Sequence, residues 1–455
     1  MTGASILRQL LRSVSRAAGP GAKGADRNTR HTRKAVTLCR ALLSQRGEAS
    51  GAVVAREVLA AYDSLQGAAL EAFFDVLADE FSPDPQEVGR AADAYRQEPT
   101  QTHLVRLMHV VEPPRQELFR RLNMASGGTA ALVEMRRRIL PQLKSHAHWA
   151  GIEADLEHLL ASWFNRGFLV LARIDWRTSA LILEKLIQYE AVHAIQGWTD
   201  LRRRLQADRR CFAYFHPSLP DEPIIFIEVA LTHGISDKVG PLLDVESPVT
   251  DPARANCAIF YSITNCQEGL RGISFGNFLI KQVAEDLGRE FPRLKTFSTL
   301  SPIPGFCDWL RDTDTLDRLA QTPGPGGVAL VKQVQALDEP DWHMSPDRTD
   351  ALEDPLLRLC AYYLLHAKRD GEPLDAVARF HLGNGARMER LNWLADASKP
   401  GLARSAGIMV NYVYRLDEIE HNHEAYANRH QVVSSARFLV LARQCPLSGP
   451  RGVRS

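Results

Sequence analysis

The chain has 455 residues, 45% of them hydrophobic and 24% charged, which is ample for two cores and ordinary for a soluble globular protein. Its 55 basic and 54 acidic residues leave a formal charge of +1, so no global field favours nucleic acid. Apolar runs such as Ile224 to Leu231 fall short of the roughly 20 residues that a membrane-spanning helix needs.

Residues 1–47 are rich in Arg, Lys and Ser and carry a single acid, Asp26. That composition fits a mitochondrial targeting segment, or the basic flexible head or first helix common in bacterial proteins. The stretch lacks a strongly apolar signal core, so a flexible head and a cytoplasmic protein are expected, with the mitochondrial matrix as the alternative. The final Val-Arg-Ser is not the peroxisomal Ser-Lys-Leu address. Residues 48–200 carry a helical pattern: Val58, Leu59, Tyr62 and Leu65, then Leu70, Phe73, Phe74 and Leu77, then Leu104, Leu107 and Met108. Turn chemistry interrupts it at Ser82-Pro83-Asp84-Pro85, Glu112-Pro113-Pro114 and Ser126-Gly127-Gly128. The runs Arg136-Arg137-Arg138 and Arg202-Arg203-Arg204 read as solvated helix faces.

After residue 200 the period becomes two, marking a second domain over 201–455. Phe212 to Pro217 and Ile224 to Leu231 predict a hairpin across residues 218–223, followed by strands at Ile259 to Thr264 and near 296. Between those last two strands lie Gly269, Gly272 and Gly276 and an amphipathic helix through Leu279, Ile280, Val283 and Leu287. A helix N-terminus offers unpaired N–H groups and positive dipole, and glycines let a pyrophosphate approach them. Arg271, Gly272, Ile273, Ser274, Phe275, Gly276 and Asn277 are therefore the candidate phosphate loop, although such glycines also occur in ordinary turns. The run lacks a Walker-type Gly-Lys-Ser/Thr and the dinucleotide fingerprint. It is loosely similar to the acyl-CoA N-acyltransferase (GNAT) phosphate loop, with glycines offset by one. The second strand ends in an exposed serine, Ser301, and residues 322–327 and 338–350 read as surface insertions. Seven scattered cysteines without CxxC pairing argue against zinc and a disulfide framework.

Longer words carry a more specific resemblance. They include LVRLMHVVEPPRQELFRRLNMASGGTAALVEMR (104–136), the segment at 163–205, CFAYFHPSLPDEPIIFIEVAL (211–231), FSTLSPIPGF (297–306) and FHLGNGARMERLNWLADAS (380–398). In this order they resemble the malonyl-CoA decarboxylase family of biotin-independent enzymes. The resemblance implies an α+β chain: an all-α oligomerisation domain, then a GNAT-like domain with a mixed sheet. It implies malonyl-CoA as substrate, acetyl-CoA and CO2 as products, no cofactor and a homo-oligomer, dimer or tetramer. It places His381 and Ser301 on the family's catalytic histidine and serine, and Tyr414 on a further active-site residue.

Decarboxylating a malonyl thioester sends the C–C bonding electrons into the thioester carbonyl, giving an enolate-like transition state. Backbone N–H groups on the Ile259 to Thr264 strand could meet the oxygen, and a histidine titrating near neutrality could protonate the carbon. Ser301 lies in no G-x-S-x-G elbow, so it reads as a hydroxyl that hydrogen-bonds carboxylate or carbonyl, or as a turn residue capping the following bend. Glu420, His421, His423 and Glu424 resemble a metal cluster, but lie in a polar loop without a third and fourth ligand on a rigid element. An N-acyltransferase using the same CoA cradle is the alternative, and a helical interaction protein with a dead transferase domain is a weaker one.

Overall fold

The computed structural model describes residues 22–45, 47–276, 279–321, 326–339 and 341–448, which form two compact units. The first comprises the described residues up to Val170, together with Phe215–Glu222 and Gln267–Phe275. It is helical, and its helices start where the sequence supplies caps. Asp84 accepts from Gln86 N ahead of Pro85, and Thr100 accepts from His103 N, each satisfying a donor that the first turn leaves without a partner. Helix Ala68–Glu80 buries Phe73 and Phe74, which pack with Tyr62 and with Trp149, whose ring meets Phe74 edge-on at 5.1 Å.

Part of the expected flexible head is ordered. Residues Ala22–Ser44 form a helix that buries Ala35, Cys39 and Leu42, one apolar stripe at helical spacing. Arg121 donates to the carbonyls of Leu42 and Gln45 at 2.7 and 2.9 Å, satisfying acceptors exposed at the helix end. Residues 1–21 lie outside the described residues.

The arginine runs are not solvated faces throughout. Arg136, on helix Gly128–Ile139, is buried and donates to the Gly269 and Arg271 carbonyls at 2.9 and 2.8 Å, while Glu153 takes its other edge at 2.8 Å. Arg137 and Arg138 turn outward to Glu134. The same helix requires glycine at 269, where a Cβ would stand 2.0 Å from the Val133 carbonyl oxygen.

The second unit holds most of the sheet. Its strands are β1 (Val170–Ile174), β2 (Arg209–His216), β3 (Leu219–Thr232), β4 (Cys257–Asn265), β5 (Thr296–Thr299), β6 (Ser301–Pro302), β9 (Arg387–Asn392) and β10 (Met409–Tyr414). They run in the order β1-β2-β3-β4-β5-β10-β6, with β9 also on β10, while β7 (Lys368–Arg369) and β8 (Glu372–Pro373) form a separate pair. β4 and β5 are parallel, whereas β3 pairs with β4, and β10 with β5, β6 and β9, in antiparallel fashion. The sheet is mixed and the chain is α+β.

Helices Ala180–Tyr189 and Trp198–Arg204 belong to this unit; helical periodicity alone does not say which core a helix serves. Arg203 and Arg204 are buried, paired with Asp208 at 2.7 Å and Glu228 at 2.7 Å. The β2–β3 turn is only Pro217-Ser218, because Pro220 and Pro223 are tolerated near a strand's start. In place of the expected insertions, helices Gly326–Ala336 and Pro346–His366 follow β6, the latter burying Leu356, Leu359 and Leu364; residues 322–325 and 340 lie outside the described residues.

Arg136→Met should strand Glu153 and two loop carbonyls. Urea unfolding at neutral pH should show a loss of about 3–5 kcal/mol, as for a buried ion pair broken from one side. A loss under about 1 kcal/mol would mean that the pair contributes nothing net.

Candidate active site

β4 and β5 stay paired only from Cys257–Thr296 to Phe260–Thr299, although β4 continues to Asn265. Leu300 N still reaches the Phe260 carbonyl at 3.0 Å, and beyond it the chain passes into β6. Leu300 turns into a core of Ile259, Tyr261, Cys257 and Met409. Strand alternation therefore presents Thr299 and Ser301 on the opposite face together.

Ser301 is buried rather than exposed, because β10 lies alongside with Val410 opposite it. Its hydroxyl lies 3.0 Å from His381 Nε2, and His381 Nδ1 lies 2.8 Å from the Tyr414 hydroxyl. The three residues singled out on three separate elements thus form one hydrogen-bonded chain. His381 comes from helix Ala376–Gly383, which Asp375 caps by accepting from Ala378 N at 2.8 Å. The FHLGNGA word then folds back. Ala386 N donates to the His381 carbonyl at 3.0 Å, and Gly385, at φ +79°, has room only for glycine because a Cβ would lie 2.1 Å from the Ile419 carbonyl.

Two residues that the motifs did not single out complete the site. Tyr412 stacks on the imidazole with centroids 4.4 Å apart, and the register shift between Asn411 and Tyr412 is the kind of irregularity that re-aims a side chain. Thr299 Oγ1 accepts from the Ser301 hydroxyl at 2.8 Å and from Tyr412 N at 3.2 Å. Threonine and tyrosine in strands are ordinary sheet residues, so only the local register reveals these two.

Burial holds the His381 imidazole down to about 3 and pushes the Tyr414 phenol well above its ordinary range. A histidine titrating near neutrality is therefore corrected to one that is neutral at pH 7, because no charged partner offsets its desolvation. The buried Tyr414 hydroxyl donates to Nδ1, which leaves Nε2–H directed at Ser301.

In the first unit the candidate loop runs from Arg271 to Phe275. Ile273 and Phe275 are buried, Arg271, Gly272 and Ser274 are exposed, and Gly272 sits at φ +85°. Gly276, at φ +82°, opens the second unit three residues ahead of helix Leu279–Glu290. Asn277 lies outside the described residues. Glu420 to Glu424 lie on helix Ile419–Arg429 rather than in a loop; Lys281 holds Glu420 at 2.7 Å and the Gly383 carbonyl holds His423 at 2.7 Å. Among the described residues no group of three His, Cys, Asp or Glu could hold a metal ion.

The mixed sheet with its parting parallel pair, preceded by a helical region, is the α+β architecture that the resemblance implied. Comparison with known proteins gives the family. The malonyl-CoA decarboxylase C-terminal domain matches residues 167–445 and the N-terminal domain matches residues 81–164. The mitochondrial malonyl-CoA decarboxylase of Mus musculus is 38% identical over 363 residues, covering 74% of this chain and 73% of its own; that of Anser anser anser is 37% identical over 361, covering 74% and 71%. The crystal structure of malonyl-CoA decarboxylase from Rhodopseudomonas palustris superposes with a TM-score of 0.84 at 48% identity, over 90% of this chain and 98% of that one. The Agrobacterium vitis enzyme gives 0.81 at 48% identity, over 90% and 99%. The chain belongs to the malonyl-CoA decarboxylase family.

Because the native His381 titrates far below its unfolded counterpart, the unfolded chain binds a proton first as pH falls from 6.5. This histidine's contribution to stability is complete above pH 6.5 and is lost between 6.5 and about 3, at about 1.4 kcal/mol per pH unit. Chemical unfolding across that window should show a steeper decline for wild type than for His381→Asn. Parallel curves would mean that the imidazole is hydrated.

Proposed function

We propose that this chain decarboxylates malonyl-CoA to acetyl-CoA and CO2, as a carboxy-lyase acting without a cofactor. The observation that carries the reading is the uncharged Tyr414–His381–Ser301 chain, assembled from words that the family shares. Arg271 to Gly276 are proposed to cradle the CoA pyrophosphate, with Asn277 beside them. Backbone N–H groups of β4 beyond Phe260 would meet the thioester oxygen.

In this mechanism the C–C bond breaks, CO2 leaves, and the bonding pair becomes the thioester enolate. Ser301 gives its hydroxyl proton to the enolate carbon. His381 Nε2–H replaces that proton on Ser301, and Tyr414 O–H replaces it at Nδ1, so the imidazole changes tautomer and never carries charge. The enolate carbon is a far stronger base than a phenolate, so the transfer runs downhill even against the raised Tyr414. Once acetyl-CoA leaves, water protonates the Ser301 oxygen as the serine proton returns to Nε2 and the Nδ1 proton returns to Tyr414, which restores the starting tautomer. One proton is consumed per turnover. Ser301 is not a nucleophile here: activating it would make an imidazolium, and Nδ1 meets a phenol where a catalytic triad places a carboxylate.

The helical part is proposed as the assembly region, forming a dimer or tetramer. Helix Gln101–Val111 supports this, since it buries none of its residues while Val105, Met108 and Val111 stand exposed. A cytoplasmic setting is proposed, supported by the bacterial origin of the solved relatives. The curated relatives are named mitochondrial, and no helix among the described residues is long and apolar enough to cross a membrane.

Purified protein given malonyl-CoA with EDTA and no amine should release acetyl-CoA and CO2 in equal amounts. Product that appears only with an amine or added metal would overturn the reading. His381→Asn should lower kcat by ~10²–10⁴ while leaving acetyl-CoA affinity unchanged, as expected for lost proton transfer.

A further inference from the structure

The hydrogen-bonded chain does not stop at Ser301. The Ser301 hydroxyl has two neighbours, His381 Nε2 at 3.0 Å and Thr299 Oγ1 at 2.8 Å. With the Nε2 proton already directed at Ser301, the serine hydrogen must go to Thr299. That oxygen is itself pinned, because Tyr412 N donates to it at 3.2 Å while Asn411 Nδ2 donates to the Thr299 carbonyl at 2.7 Å. Thr299 is fully buried. Both of its lone pairs are thereby occupied, one by the backbone of the residue that stacks on the imidazole.

We propose that Thr299 is a positioning residue that sets the direction of the Tyr414–His381–Ser301 chain by holding the serine hydrogen away from the imidazole. The inference rests on the roles proposed above for Ser301 and His381. Thr299 touches no reacting atom. It parks the hydrogen until a more basic substrate oxygen or carbanion competes for it, since a hydrogen bond to an ionised acceptor is stronger than one to a hydroxyl. Without that oxygen, Ser301 would turn its hydrogen to Nε2, and the imidazole would have to carry its proton on Nδ1, donating to Tyr414. That tautomer cannot hand a proton to the serine.

The test uses the full chain with Thr299→Val, which is nearly isosteric, and Thr299→Ser, which restores the acceptor. Thr299→Ala repeats the loss of the oxygen without the second methyl should the valine variant fail to fold. Thr299→Val should lower kcat about tenfold with KM within about twofold, and Thr299→Ser should recover most of it. In a Ser301→Ala background the valine should cost less than about twofold further, because its effect runs through that hydroxyl. Nitrogen-15 spectra, with the His381 signals assigned by their loss in His381→Asn, should show an Nε2–H tautomer in wild type and Nδ1–H in folded Thr299→Val. An unchanged tautomer, or a full multiplicative loss in the Ser301→Ala background, would overturn the inference. Near-wild-type turnover of both Ser301→Ala and His381→Asn would instead sink the site reading, and the tautomer measurement, which needs no turnover, would still decide the role of Thr299.

Discussion

Desolvation of a single imidazole governs the chemistry open to this fold. His381 is enclosed by Tyr412, Tyr414, Phe380 and Ser301, and its hydrogen-bond partners are hydroxyls. Moving its pKa from 6.5 to about 3 corresponds to roughly 5 kcal/mol against the charged form. A hydrolase triad spends a buried carboxylate to make the imidazolium tolerable. Here a phenol occupies that place, so the arrangement suits a group that passes a hydrogen along and stays neutral.

Charge in the sheet unit is gathered in a separate layer. Arg204 donates to Asp200, to Glu228 at 2.7 Å and to the His193 carbonyl at 2.9 Å. Glu190 accepts from Val192 N and His193 N, and from the hydroxyls of Ser262 and Thr264 on β4 at 2.8 and 3.0 Å. This layer ties residues 190–193 to the part of β4 that β5 has left. Asp200 and Glu228 share the Arg204 guanidinium there, and burial pushes Glu228 up to about 8. The charges are thus satisfied among themselves and place no partner on His381.

Much of this could be read from the residues, and the limits are physical. The strand, loop, helix and strand from 259 to 299 follow from β-branched runs, glycines and a four-residue apolar repeat, and β4, helix Leu279–Glu290 and β5 occupy those places. Three consecutive arginines span about 200° of a helix, so part of each run must face inward, but composition does not say which; Arg136 does in the first run, and Arg203 and Arg204 do in the second. In the basic head the stripe Ala35, Cys39 and Leu42 is only three residues among many charges, too short a pattern to declare a helix by itself. A strand end such as Ser301 is usually exposed. That β10 covers it, and that Tyr412 meets Thr299, depends on contacts more than a hundred residues apart, for which local periodicity carries no signal.

The neutrality of the site bears on how it would treat a malonyl carboxylate. Among the described residues, none of the hydrogen-bond partners of Ser301, His381 or Tyr414 is cationic. A guanidinium clamped on that carboxylate would bind the ground state well and would have to be given up as CO2 departs, so its binding energy would oppose the reaction. Hydroxyls hold the carboxylate more weakly and can turn to the carbon that becomes basic when it leaves. Affinity is better supplied at the pyrophosphate, whose charge does not change during decarboxylation. On this division of labour the CoA end sets KM, and the uncharged chain ending at Ser301 sets kcat.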